Sequence, residues 1–214
     1  MRRTGGNTVV GAALKLFGVT YAEAGNRGAA VPGTELIAVR ELAAIVAPAP
    51  YAAVEPSAEH ASSTNGVITE YAKRAAVLPA PIGVVFRSRV AVTRWLELHY
   101  VALSDALSFV DDRVVGRVHV WRPGDASERE VGTDLAAAAA DALRDLRRGA
   151  VATVPLRTEH LTGIVLSAAF LVEQELWKEF SSKVAEQANR LNDMRVELTG
   201  PWPPYDFVHM EFGG

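Results

Sequence analysis

The chain has 214 residues, 49% hydrophobic and 22% charged, with a formal net charge of −3, a globular composition with length for one domain or two. Both signs of charge are interspersed, which excludes the basic stripe of a nucleic-acid binder; the closest approach, Arg144–Gly149, reads as a solvated helix end. The absence of cysteine excludes disulfides, thiolate nucleophiles and cysteine-ligated metals together.

The N-terminus imitates a secretory signal, with Arg2-Arg3, an apolar stretch from Val9 and small residues at Ala22–Gly25. Lys15 argues against it, because it cuts the apolar core to the six residues Val9–Leu14, fewer than the about 7 to 15 such a segment carries. The stretch Thr8–Phe17 reads instead as a buried strand, followed by a Gly-rich loop from Gly25 to Gly33. The longest uncharged runs, such as Leu42–Val54 and Leu161–Val172, fall short of the ~20 residues of a spanning helix. A soluble, intracellular protein without membrane partners is expected.

Leu36–Val39 and Leu42–Val46 are short apolar runs, stopped by Pro48–Pro50. Residues Tyr51–Gly66 read as a loop or a short, weak helix with Ser57 as N-cap, and a helix from about Val67 to Ala76 ends ahead of Leu78-Pro79. Pro81–Phe86 reads as a buried strand. Ser88 then caps a long helix to about Val110, with Trp95, Leu96, Leu103, Leu107 and Val110 near one face. Asp111-Asp112 interrupts the pattern and sets the domain boundary, giving an N-terminal α+β domain, 1–112, and a C-terminal domain, 113–214.

In the second half Val114–Trp121 alternates as a strand, and Thr133 caps an alanine-rich helix that Gly149 terminates. Ala150–Leu156 and Leu161–Val172 form a hairpin around the intervening Arg157–His160. A helix over about Gln174–Leu191 carries the stripe Leu176, Trp177, Phe180, Val184, Ala188 and Leu191, and Met194–Thr199 closes as a strand. The order β-α-β-β-α-β is the ferredoxin-like arrangement, so the fold class is α+β with a Pro/aromatic tail.

Signatures of catalysis are missing: the sequence has no nucleophile elbow, P-loop, dinucleotide fingerprint or HExxH. His60, His99, His119, His160 and His209 are scattered without metal-ligand spacing, so neither catalytic residues, a metal nor a cofactor is assigned. His119 shares an alternating face with Arg117 and Trp121; that face is either a ligand cavity or the solvent side of a sheet. Asp111-Asp112 reads as a solvated cap, Arg87 and Arg89 as surface ion pairs or an anion site, and Trp95, Trp177 and Phe180 as core.

The end of the chain, Gly200-Pro201-Trp202-Pro203-Pro204-Tyr205 followed by Phe207-Val208, resembles the C-terminal signature of the gas vesicle protein GvpL/GvpF family. Ser167–Glu173, Val77–Phe86 and Leu36–Val46 resemble further segments of the same family in the same order; Ala80-Pro81-Ile82 departs from it, where members carry methionine, arginine and phenylalanine. The resemblance implies a non-enzymatic accessory or minor component of gas vesicles, made of two α+β domains with a ferredoxin-like second domain and an appended tail. It implies the hydrophobic shell protein and other accessory proteins as partners, and a place on the gas vesicle in the cytoplasm; self-association is left open. Proline-rich backbone loses little entropy on docking and aromatic residues are frequent binding anchors, so Trp202, Pro203, Pro204, Tyr205 and Phe207 are candidates for an interface or for a clamp on the chain's own domains. The alternative is a small-molecule enzyme or ligand-binding protein on a ferredoxin-like sheet; a third reading is an interaction module unrelated to vesicles.

Overall fold

The computed structural model describes residues 13–26, 31–52, 57–122, 133–158, 163–191, 194–208 and 210. Among these residues it is an α+β fold with two antiparallel sheets and five α-helices. The chain divides into two compact units, the second running Val110–His209. Among the described residues no helix is long and apolar enough to cross a membrane.

The first unit is built on strand β1, Ala13–Tyr21, buried except at Lys15 and Tyr21. Strands β2 (Glu35–Val39), β3 (Leu42–Ala49), β4 (Val77–Pro79) and β5 (Val85–Phe86) complete the sheet, in the order β2-β3-β1-β4 with β5 also on β1. Gly18 permits the close approach of β1 to β4, since a Cβ there would lie 2.5 Å from the Leu78 carbonyl oxygen. The Lys15 ammonium donates to Thr64 Oγ1 at 2.9 Å on helix α1, Ala58–Ala72.

Several expected boundaries move. β1 runs four residues past Phe17, into a 3-10 turn at Ala22–Asn26, while residues 8–12 of the expected strand and 27–30 of the expected loop lie outside the described residues. β3 continues through Pro48 because its pairing with β2 ends at Val46, beyond which a missing N–H is tolerated on that side. Of the two readings of Tyr51–Gly66, the helix with Ser57 as N-cap is the one formed, its hydroxyl accepting from the His60 N–H; it runs on without a break through the later helix expected from Val67, as the single helix α1, and ends at Ala72 rather than Ala76. Of the buried strand expected over Pro81–Phe86 only Val85 and Phe86 pair, as β5, and they are half-buried; Gly83 turns the chain ahead of them at φ 94°. The long helix expected from Ser88 is α2 (Arg89–Leu98) and α3 (Tyr100–Val110). At His99 the ring Nδ1 and the main-chain N–H both approach the Trp95 carbonyl oxygen, at 2.9 and 3.1 Å, a side-chain competition that interrupts helical geometry.

The second unit contains β6 (Arg113–Trp121), α4 (Thr133–Arg147), β7 (Ala152–Pro155), β8 (Ile164–Glu173), α5 (Trp177–Arg190) and β9 (Arg195–Trp202). The sheet order is β7-β8-β6-β9, all neighbours antiparallel. Val118, Ala168, Phe170 and Val172 meet Leu146 of α4 and Phe180 and Val184 of α5 in one buried cluster. Both helices therefore cover the same face. α4 ends at Gly149, whose N–H reaches the Leu146 carbonyl at 3.0 Å; capping by the Thr133 side chain lies outside the described residues. A 3-10 turn, Gln174–Leu176, precedes α5 where continuous helix was expected. β9 outruns its expected end at Thr199, with Gly200 and Pro201 as an unpaired bulge ahead of Trp202, which an edge strand allows.

Candidate functional site

The candidate site is the face of the second sheet opposite α4 and α5. Period-two alternation sends Val118 and Val120 toward the helices and Val115, Arg117, His119 and Trp121 the other way. Cross-strand register sets His119 between Ser167 of β8 and Glu197 of β9, and Arg117 between Ala169 and Thr199.

The face has a polar end. His119 Nδ1 lies 2.7 Å from the hydroxyl of Ser167, a buried residue, and the tautomer decides which donates. Burial pushes the His119 imidazole below its ordinary range, with Arg117 adding to the effect and Glu197 and Asp206 opposing it. The Trp121 indole N–H donates to Glu197 Oε2 at 3.1 Å, and the Arg195 guanidinium stands 4.7 Å from the centre of its ring.

The other end is apolar and is occupied by the end of the chain. Phe207 packs on Val115, Ala169 and Leu171 beside Ala152 and Leu156. Between the two ends Arg117 grips Asp206 with two parallel hydrogen bonds, Nε to Oδ2 at 2.8 Å and Nη2 to Oδ1 at 3.1 Å. Pro204 is buried, Pro203 and Tyr205 are half-buried, and burial pushes the Tyr205 phenol up to about 12 against the opposing charge of Arg117. The segment folds on itself through Tyr205 N–H to Pro203 C=O and Phe207 N–H to Pro204 C=O, 2.8 and 3.1 Å.

Of the tail residues singled out in the sequence, Phe207 is thus gathered onto the sheet and Pro204 and Tyr205 are shielded from solvent, whereas Trp202 stays 38% exposed with its indole donating to Thr199 Oγ1. Ahead of them β9 bulges, Gly200 and Pro201 opposing Gly116. A Cβ on Gly200, whose φ is 130°, would lie 2.6 Å from the Val115 carbonyl oxygen, and one on Gly116 would meet Trp177 at 3.0 Å. Asp206, Ser167 and Glu197 were missed in the sequence. Asp206 stands inside the aromatic signature, but its partner is 89 positions away; the other two are visible only through register.

The remaining candidates are not drawn to this face. Arg87 stacks on Tyr51 and Arg89 pairs with Glu35, both in the first unit; Asp112 ends α3 at φ 53°, and His160 and His209 lie outside the described residues. No group of three or more His, Asp or Glu is placed to hold a metal among the described residues. The pair Ser167 and His119 resembles a nucleophile and its base, yet Ser167 stands mid-strand between β7 and β6, where main-chain N–H groups serve the ladder rather than an oxyanion.

The sequence profile of the family described as gas vesicle synthesis protein GvpL/GvpF matches residues 14–134 and 121–209. Gas vesicle protein F2 of Halobacterium salinarum (strain ATCC 700922 / JCM 11081 / NRC-1) is 27% identical over 147 residues, 68% of this chain and 65% of that protein, so the match spans just under two thirds of that relative. Gas vesicle protein F1 of the same strain is 26% identical over 179 residues, 81% of this chain and 80% of that protein. The crystal structure of GvpF from Anabaena sp. PCC7120 superposes with a TM-score of 0.76 at 14% identity, covering 94% of this chain and 100% of that one. GvpF from Microcystis aeruginosa gives 0.74 at 14% identity, with 93% and 100% covered. At that identity the two structures speak for the fold.

Proposed function

The chain belongs to the gas vesicle synthesis protein GvpL/GvpF family, and we propose that it is a non-enzymatic accessory protein that assists gas vesicle assembly by binding the hydrophobic shell protein and other accessory proteins. The observation that carries this reading is the family match across nearly the whole chain, through both units and into the tail. A subunit awaiting polymerisation exposes apolar surface, and an accessory protein with a preformed apolar or strand-edge site can hold it until it is incorporated. The protein works on the gas vesicle and in the cytoplasm around it.

In this reading the second unit is a ferredoxin-like domain beginning after Asp112, supported by its β-α-β-β-α-β order and its two helices on one face. The tail is a clamp through Tyr205, Asp206 and Phe207, supported by the contacts of Asp206 and Phe207 with the sheet and by the burial of the Tyr205 phenol, and Trp202 is the residue it leaves for a partner. A small-molecule site on the same face finds less support. The groups it would use are engaged within the chain: Arg117 by Asp206, His119 by Ser167 and Trp121 by Glu197.

Deleting the gene in the host, then restoring it, tests the role. Vesicle number seen by electron microscopy falls sharply and returns with the wild-type chain; undiminished vesicles of normal shape overturn the proposal. Joint replacement of Trp202 and Tyr205 by alanine separates clamp from interface. A large drop in melting temperature is the clamp result, and lost partner binding at unchanged melting temperature is the interface result.

A further inference from the structure

The helix pair α2 and α3 leaves an apolar face uncovered in the first unit. Val92, Trp95, Leu96, Leu103 and Leu107 are buried on one side, and α2 packs on β2 and β3. On the other side Val90, Leu98, Val101 and Phe109 are 75%, 78%, 71% and 41% exposed, half of the eight large hydrophobic side chains exposed among the described residues. The break at His99 does not turn this face aside. The His99 N–H bonds the Trp95 carbonyl at 3.1 Å and the Leu103 N–H bonds the His99 carbonyl at 2.9 Å, so hydrogen bonds of α-helical spacing bridge it. Arg94 and Asp105 lie on the same stripe, exposed, and neither is paired with another described residue. Positions 90, 94, 98, 101, 105 and 109 follow one another at three- and four-residue steps, the spacing of a single helical face.

Along the stripe the order is apolar, basic, apolar, then apolar, acidic, apolar, and read backwards it is its own complement. We infer that this face binds the same face of a second copy of the chain, antiparallel, about a two-fold axis passing at His99-Tyr100. A two-fold interface requires that residue i meet j wherever j meets i, and the order supplies that. Arg94 of one copy comes opposite Asp105 of the other, twice over. Leu98 and Val101 of both copies gather at the axis, and Val90 and Phe109 meet at each end. A parallel pairing would set like charge against like, which is unfavourable. An unrelated apolar segment would satisfy the hydrophobic positions but leave both charges without partners; their equal distance from the centre of the stripe singles out a copy of this chain. All six residues belong to the first unit, and the inference is independent of the gas vesicle reading.

Residues 90–109 span roughly 30 Å of helix, so one helix face against another makes an interface at the small end of the specific range. The flanking ion pairs are exposed and each adds little. A dissociation constant on the order of 10–100 μM follows. The chain is a monomer when dilute and a dimer where copies are concentrated.

Sedimentation equilibrium of the full-length chain tests this. Wild type is expected to pass from monomer to dimer across that range. Arg94→Asp sets acid against acid at both flanking positions, Asp105→Arg sets base against base, and each is expected to weaken dimerisation at least about tenfold. An equimolar mixture of the two variants recovers association, as does a chain carrying both changes, because every charge then faces its opposite. Wild type that stays monomeric to about 1 mM overturns the inference. So does a dimer that neither single change weakens, or one that neither the mixture nor the double change restores.

Should a charge variant fold poorly, wild type decides. The methyl resonances of Leu98 and Val101 are expected to shift as concentration rises through the transition; association that leaves both unmoved overturns the inference.

Discussion

Removing the grip of Arg117 on Asp206 is the sharpest perturbation of the tail. The carboxylate side chain is 13% exposed and the guanidinium 34%, which places the pair between exposed ion pairs, worth about 0–1 kcal/mol, and fully buried ones, whose disruption costs about 3–5 kcal/mol. Two parallel charge-assisted bonds to a shielded carboxylate put the loss for Asp206→Ala at about 1.5–3 kcal/mol. The coupling in a double-mutant cycle with Arg117→Ala is smaller, about 1–2 kcal/mol, because each single change also leaves a partner unpaired. For a unit of roughly 100 residues each kcal/mol moves the melting temperature by about 4–8 °C, so Asp206→Ala lowers it by at least about 5 °C. Thermal unfolding of wild type, both single variants and the double variant supplies the cycle. A coupling below about 0.3 kcal/mol, within the scatter of independent sites, would refute the claim that this pair holds the tail.

The bulge that starts the tail is equally exposed to test. Gly200→Ala places a Cβ against the Val115 carbonyl at a φ that L-residues rarely adopt, and a cost of about 1–3 kcal/mol is expected in urea unfolding; an unchanged midpoint contradicts it. His119 predicts a pH dependence. Burial depresses its folded pKa while the unfolded chain titrates near about 6.5, so between the two values the unfolded state binds more protons. Its contribution is therefore complete above about pH 6.5 and is lost as pH falls through the folded pKa. His119→Gln flattens that slope, and an imidazole resonance titrating above 6.5 in the folded protein rules the mechanism out.

Periodicity made much of the second unit legible. The alternation of Val114–Trp121 is β6, and the stripe through Phe180 and Val184 is the face α5 buries on the sheet. Local sequence carried less in the first unit, where the decisive causes are tertiary. Pro48 is acceptable because of where β2 ends, and the helix breaks at His99 through a ring–carbonyl contact that no hydrophobic spacing records. The candidate site divides the same way. Arg117, His119 and Trp121 share a face by alternation alone, but the opposition of Ser167 and Glu197 to His119 requires the register of three strands. The tail signature was visible as composition. Its landing place was not, since Asp206 and Arg117 meet only after the sheet has formed.

Contact with the gas vesicle shell protein is the step that the proposed function requires. The most direct measurement is co-purification of the tagged full-length chain with the shell protein and the other accessory proteins of its own host. Recovery of the shell protein with the wild-type chain is the predicted result; repeated recovery of a folded chain without it, from a host that makes no vesicles, contradicts the account.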